Sequence, residues 1–268
     1  MNVEKDVYFY NACAMALGGT VTRPFNAVIE SQAASVLPLD GGMGTARVEN
    51  FQFKDIVSFK AGYSLVTGSQ SSSGFETLAL ATVEDLNILH HMVTATRVVS
   101  RLVTDTPSLY RPPAGTSTSG SPSATPSGSS APARQLPTIS TLGSQIMGLT
   151  IAGCELEVVL DTDFFGDSDK TDAYKKAKAR KEAKTLSNGM VVTSLVKEFK
   201  KVRGSCAGIA ISEDLGRIDV PHFGRIQVAQ FLLTESFSWR LVMLRVLMGC
   251  PAAGTMDAGC TQGNGIPP

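Results

Sequence analysis

The chain has 268 residues, 43% of them apolar and 18% charged, with 24 basic and 24 acidic side chains. A net charge of zero supplies no field that would steer the whole chain to nucleic acid or an acidic membrane, which disfavours both as principal partners. The length admits one large β-rich domain or two small ones, and abundant Gly, Ser and Thr suit many strands and turns.

From the N-terminus, Val7–Leu17 reads as a strand entering a turn at Gly18–Gly19, and Val21–Val36 as an extended stretch broken by Pro24. The opening lacks the basic start and unbroken apolar run of a secretion signal, so a cytoplasmic protein is expected. No apolar run reaches the roughly 18 residues of a membrane helix. The glycines of Leu37–Gly44 fit no phosphate-loop pattern and are read as a hinge between strands.

Ala46, Val48, Phe51 and Phe53, then Phe59, Ala61, Tyr63 and Leu65, suit half-buried strands separated by a turn near Lys54–Asp55. Phe75–Val103 divides into three expected strands: Thr77–Val83, Leu86–Ile88 and Met92–Val103. In the last, Val93, Ala95, Arg97, Val99 and Arg101 share one expected face. His90–His91 falls in a turn, because adjacent strand side chains point to opposite faces and cannot share a metal.

Pro112–Pro137 is a low-complexity Pro/Gly/Ser tract, read as a disordered insertion loop in a single domain spanning 1–268. Beyond it, Ile146–Ile151 and Leu156–Leu160 are expected strands around Gly153. Asp161–Lys184 is expected to be an acidic loop followed by a charged surface helix, with the helix over Lys170–Lys184. Met190–Phe199 admits strand or helix. Arg225–Thr234 and Phe237–Met248 form an expected hairpin whose second strand, apolar on both faces, belongs in the centre of a sheet. Gly249–Pro268 is expected to be a flexible tail.

The main polar cluster is Asp161, Asp163, Asp167, Asp169 and Asp172. With Gly166, its spacing follows part of a calcium-binding loop. Phe165 stands where an oxygen ligand belongs, and Asp172 where that loop carries Glu. Calcium, or another hard cation, is the one cofactor this pattern suits. The neutral alternative is a solvated loop at a helix N-terminus. From Lys170 to Arg203 there are eleven basic and three acidic residues, a solvated basic surface without a nucleic-acid reader motif.

The five widely spaced cysteines, with no CxxC, point to reduced thiols. Cys250 and Cys260 are the one pair with loop-like spacing. Cys154 is a nucleophile only if a histidine reaches it, and His222 lies apart from the other histidines with Cys206 or an aspartate as candidate partners.

The stretches NILHHMVTATRVVSRLV and SQIMGLTIAGCELEVVL resemble a theme of the choice-of-anchor P family of bacterial proteins, a short apolar strand and turn before an alternating strand. The resemblance implies an all-β fold and no reaction. This chain departs from the theme in lacking a secretion signal and anchor, and in carrying His90–His91 in place of a Gly pair.

The expected fold is therefore all-β: an antiparallel β-sandwich or flattened barrel with one exposed charged helix. A right-handed β-helix is the alternative, against which stands the lack of a regular repeat. The expected function is a structural or protein-interaction module whose partner is another protein or, by self-assembly through exposed β edges into a homo-oligomer, a copy of itself, and more a binder than an enzyme. The alternatives are a metal-assisted hydrolase built on Asp161–Asp172 and a β module holding an apolar ligand between its sheets.

Overall fold

The computed structural model describes residues 8–108, 136–166, 173–234 and 238–264. The chain enters on β1 (Ala12–Arg23) and turns back through β2 (Ala27–Gln32) and β3 (Ser35–Val36). Four long strands follow: β4 (Gly42–Phe53), β5 (Val57–Gln70), β6 (Gly74–Ile88) and β7 (Val93–Pro107). Next come β8 (Thr138–Ser140), β9 (Gln145–Met147), β10 (Leu149–Ile151), β11 (Cys154–Leu160) and the helix α1 (Ala173–Lys178). The remainder is β12 (Lys184–Thr185), β13 (Val191–Ser194), β14 (Val196–Arg203), β15 (Ala210–Ser212), β16 (Arg217–Val220), β17 (Gly224–Leu233), β18 (Ser238–Met248) and β19 (Ala253–Asn264).

The strands build two open sheets. The first runs β12-β13-β17-β18-β19-β1-β2, with β3 also on β1, β16 on β17 and β15 on β16. The second runs β14-β11-β10-β7-β6-β5-β4, with β8 and β9 also on β7. β1 and β19 of the first sheet pack on β5, β6 and β7 of the second around one apolar core. This is an all-β sandwich. Neither sheet closes into a barrel, and the antiparallel ladders exclude the parallel coils of a β-helix. No helix among the described residues is long and apolar enough to cross a membrane.

Residues 109–135, most of the Pro/Gly/Ser tract, lie outside the described residues. The strands on either side of it are ladder neighbours: Val103 pairs with Ser140 and Asp105 with Thr138. The chain crosses between sheets at Leu195, which separates β13 from β14. Its N–H donates to the Ala229 carbonyl and its carbonyl accepts from the Asp161 N–H, so one residue ties both sheets together.

Each sheet carries a transverse crease where the in–out alternation slips by one residue. In β18, Trp239, Leu241 and Met243 face the core, and then so do Leu244, Val246 and Met248. β17 slips at Val228–Ala229 and β1 at Ala16–Leu17. The ladders step over these positions, leaving Ala229, Met243, Gly259 and Ala16 in a row across four strands. Ala229 (φ 48°) and Gly259 (φ 62°) take left-handed backbone there, as the extra residue of a bulge does. The second sheet repeats the device through Asn50 (φ 52°), Lys60, Asp85 (φ 52°) and Thr96. The crease corrects the single-face reading of β7: Val93 and Ala95 enter the core before it and Val98 and Leu102 after it. It also merges two expected strands, since β6 passes through Asp85 unbroken.

Three pairs of buried hydroxyls satisfy one another, whereas those of Thr82 and Thr193 find no partner among the described residues. The Ser100 and Thr261 hydroxyls lie 2.7 Å apart across the two sheets, Ser64 donates to Ser35 at 2.7 Å, and the Thr77 and Thr104 hydroxyls pair.

Three further expectations are corrected. Residues 253–264 are not a loose tail but β19, hydrogen-bonded between β18 and β1; glycine there serves close approach, and a Cβ on Gly263 would lie 3.0 Å from the Thr104 methyl. Gly18–Gly19 is not a turn, because β1 continues through it, and a Cβ on Gly19 would collide with the Thr255 carbonyl of β19. Among the described residues the helix covers Ala173–Lys178, ending short of Lys184, and it docks on the core through buried Ala173, Tyr174 and Ala177, while its lysines face outward.

Candidate functional site

Of the five aspartates read as cation ligands, Asp161 and Asp163 are described, whereas Asp167, Asp169 and Asp172 lie outside the described residues. Asp161 leaves β11, and its carboxylate accepts from Arg180 at 3.1 Å. Arg180 also pairs with Glu182 at 3.3 Å, donates to the Ser194 carbonyl, and stacks its guanidinium 4.1 Å from the Phe164 ring centre. Arg180 thus lies against one oxygen of Asp161 and shares its single charge between Asp161 and Glu182. Among the described residues, no three His, Cys, Asp or Glu side chains converge as metal ligands do.

The basic stretch is partly neutralised from the neighbouring strand. Lys200 reaches Glu157 at 3.7 Å, and Arg203 pairs with Glu155. This ladder also explains a disulfide that composition did not reveal. β11 pairs with β14, Gly204 lies against the Gly153 carbonyl, and the chain then carries Cys206 to Cys154 with their Cα atoms 4.9 Å apart. The reading of all thiols as reduced is therefore corrected, and Cys154 is not a nucleophile. Cys250 is exposed and Cys260 buried, both free.

His90 and His91 occupy the β6–β7 turn, as their adjacency requires. Leu89, His90 and His91 all have positive φ, and the turn is held by Met92 N–H to the Leu89 carbonyl at 3.1 Å and His91 N–H to Asn87 Oδ1 at 2.7 Å. His222 is exposed in the β16–β17 turn.

A charged constellation lies on the outer face of the first sheet. Asp257 of β19 stands opposite Arg245 of β18 in the ladder. Arg245 binds both carboxylate oxygens, Nε to Oδ1 at 2.7 Å and Nη2 to Oδ2 at 2.8 Å, and donates to Gln230 Oε1 at 3.2 Å. Hydrogen bonding to Asp257 raises the Arg245 pKa, against the lowering effect of its burial. Arg240 approaches the same carboxylate at 3.4 Å and the Cys260 sulfur at 4.0 Å. Burial pushes the Cys260 thiol up to about 12, so it stays protonated at neutral pH. Sequence reasoning missed this cluster because Asp257 was assigned to a tail. The signal that would have placed it is the apolar run Met256, Ala258 and Cys260 around it.

The second feature is the corner where the sheets meet at β3 and β4. Residues 10–12 run antiparallel to 37–39, with Tyr10 N–H donating to the Leu39 carbonyl at 3.0 Å and Leu37 N–H to the Ala12 carbonyl at 2.9 Å. Tyr8, Tyr10 and Leu37 turn inward, with Tyr8 stacked on Phe75 at 4.3 Å. Alternation then forces Phe9 and Val36 outward, and both are exposed, as are Leu39 and Met43. β4 ends its sheet; among the described residues its backbone ladder is with β5 alone.

Residues 8–122 match the family model of a domain of unknown function, DUF8256. The matched segment is less than half of the chain and ends inside the Pro/Gly/Ser tract. No curated protein and no solved structure matches the chain.

Proposed function

We propose that the chain is a structural, protein-interaction module that associates with a second copy of itself through the β3–β4 corner, and that it is not an enzyme. The observation that carries this reading is the exposure of Phe9, Val36, Leu39 and Met43 beside the free edge of a twelve-residue strand. An exposed apolar patch favours burial against a partner, and an unpaired strand edge offers a row of backbone donors and acceptors for another strand.

The edge is also self-complementary in charge. Arg47 and Glu49 flank Val48 on β4 and lie 2.5 Å apart within one chain. An antiparallel approach of two β4 strands about Val48 sets Arg47 of one copy against Glu49 of the other. The reading against catalysis is supported by the protonated Cys260, by Cys154 in its disulfide, and by histidines confined to turns. A hydrolase built on Asp161 has less support, because an arginine already lies against one oxygen of that carboxylate.

Amide hydrogen exchange at two protein concentrations tests the interface. Exchange of β4 amides between Met43 and Glu49 should slow as concentration rises, while the exposed β14 edge stays unchanged. Equal exchange of β4 at both concentrations contradicts the proposal.

A further inference from the structure

We infer that a hollow on the outer face of the first sheet is a binding site for a small carboxylate carrying a short apolar body. The hollow has a volume of about 250 Å³ and opens above β18, β19, β1 and β3, with Met15, Ala34, Val36, Cys13 and Cys260 among its walls. Among the described residues, Arg240 is its one charged lining residue.

The charge balance around Arg240 leaves that guanidinium unspent. Asp257 carries one negative charge, and both of its oxygens are held by Arg245 at 2.7 and 2.8 Å. Arg240 reaches it only at 3.4 Å, through Nη2. Its Nε and Nη1 make no protein hydrogen bond among the described residues, while a guanidinium offers five donors in a planar fork. Two cations thus share one anion, and the surplus faces a largely apolar cavity.

A carboxylate matches that fork with two parallel hydrogen bonds and cancels the single surplus charge. A doubly charged phosphate would leave one charge uncompensated against Met15, Ala34 and Val36. Gln262, opposite Arg240 in the ladder, and Ser31 also line the hollow and supply neutral polar groups. The volume lies below the roughly 300 Å³ at which pockets for drug-sized ligands begin, which restricts the occupant to a small molecule. Val36 also borders the proposed β3–β4 interface, so the binding test is run at a concentration where light scattering gives the mass of one chain.

The probe is hexanoate, followed through the backbone amides of Cys13, Cys260 and Gln262 in ¹H–¹⁵N spectra of the full chain. Saturable shifts are expected with hexanoate. Hexanamide, the neutral counterpart, should bind about tenfold more weakly or not at all, the loss expected when a charge-assisted hydrogen bond becomes a neutral one. Arg240→Gln should abolish the hexanoate shifts while its spectrum stays dispersed. Val36→Asp, at a well-exposed wall position, should weaken them by like-charge repulsion and serves if Arg240→Gln does not fold. The inference is overturned if hexanoate gives no saturable shift up to about 20 mM. Equal shifts with hexanamide, or shifts that persist in Arg240→Gln or are unweakened in Val36→Asp, overturn it as well.

Discussion

Gly62 and Ala16 meet across the core: a Cβ built on Gly62 would lie 2.9 Å from the Ala16 Cβ and 3.0 Å from the Phe59 ring. Ala16 sits at the crease of β1 and Gly62 just beyond the crease of β5, so the two irregularities face each other. Gly62→Ala should destabilise the chain by roughly 1–3 kcal/mol through overpacking. Adding Ala16→Gly should return part of that loss, with a coupling of at least about 0.5 kcal/mol in urea midpoints. Strictly additive losses would mean that the two positions do not share this contact.

The Cys154–Cys206 disulfide closes a loop with a sequence separation of 52. In the chain-entropy account, removing such a crosslink costs about 4 kcal/mol. Denaturant unfolding of the Cys154→Ser, Cys206→Ser double variant should show a loss of that order, and the wild type should fall to the same midpoint in reductant. A wild-type midpoint indifferent to reductant would show that the bond contributes nothing.

Much of the architecture is legible in the sequence because period-two apolar alternation encodes strands directly. The β17–β18 hairpin, the central place of β18 and the turn at His90–His91 follow from local residues alone. What is not legible is set by neighbours. A strand of small residues such as AGTMDAGCTQGN has weak intrinsic strand preference and reads as coil; it is β19 because β18 and β1 flank it. The slip at Met243–Leu244 is invisible in a strand apolar on both faces. The Cys154–Cys206 bond depends on the β11–β14 register, and Asp257 could be matched to Arg245 only once β19 was a strand. The partnership of Asp161 with Arg180 rests on a tertiary approach between the end of β11 and the segment after α1.

Asp257 is the keystone of the outer-face cluster, with its side chain 12% exposed and that of Arg245 21% exposed. Asp257→Asn leaves Arg245 largely buried without its counter-charge. The expected cost is about 2–4 kcal/mol, just below that of a fully buried pair because water partly screens Arg245. Replacing Arg245 and Asp257 together by Met and Leu should cost less than Asp257→Asn alone. A larger loss in the double variant, measured by urea unfolding, would contradict the assignment of the cost to an unpaired charge.

The Cys260 thiol is held up at about 12 by burial, above its unfolded value near 9. Below pH about 9 both states keep the proton and the full contribution to stability is present. As pH rises towards 12 the unfolded chain ionises first, and that contribution is lost. Stability should therefore fall between pH 9 and 10.5, and less steeply in Cys260→Ala. Parallel pH profiles for the two proteins would show that the thiol is not shielded.

Association through the β3–β4 corner is read most directly by light scattering of the full chain over a hundredfold range of concentration. The wild type should rise from the 28.3 kDa of one chain towards twice that mass. Leu39→Glu combined with Met43→Glu, both at exposed positions, should hold it at one chain throughout. A wild-type mass that stays at one chain across the whole range, or a dimer unaffected by the two glutamates, would contradict the proposed interface.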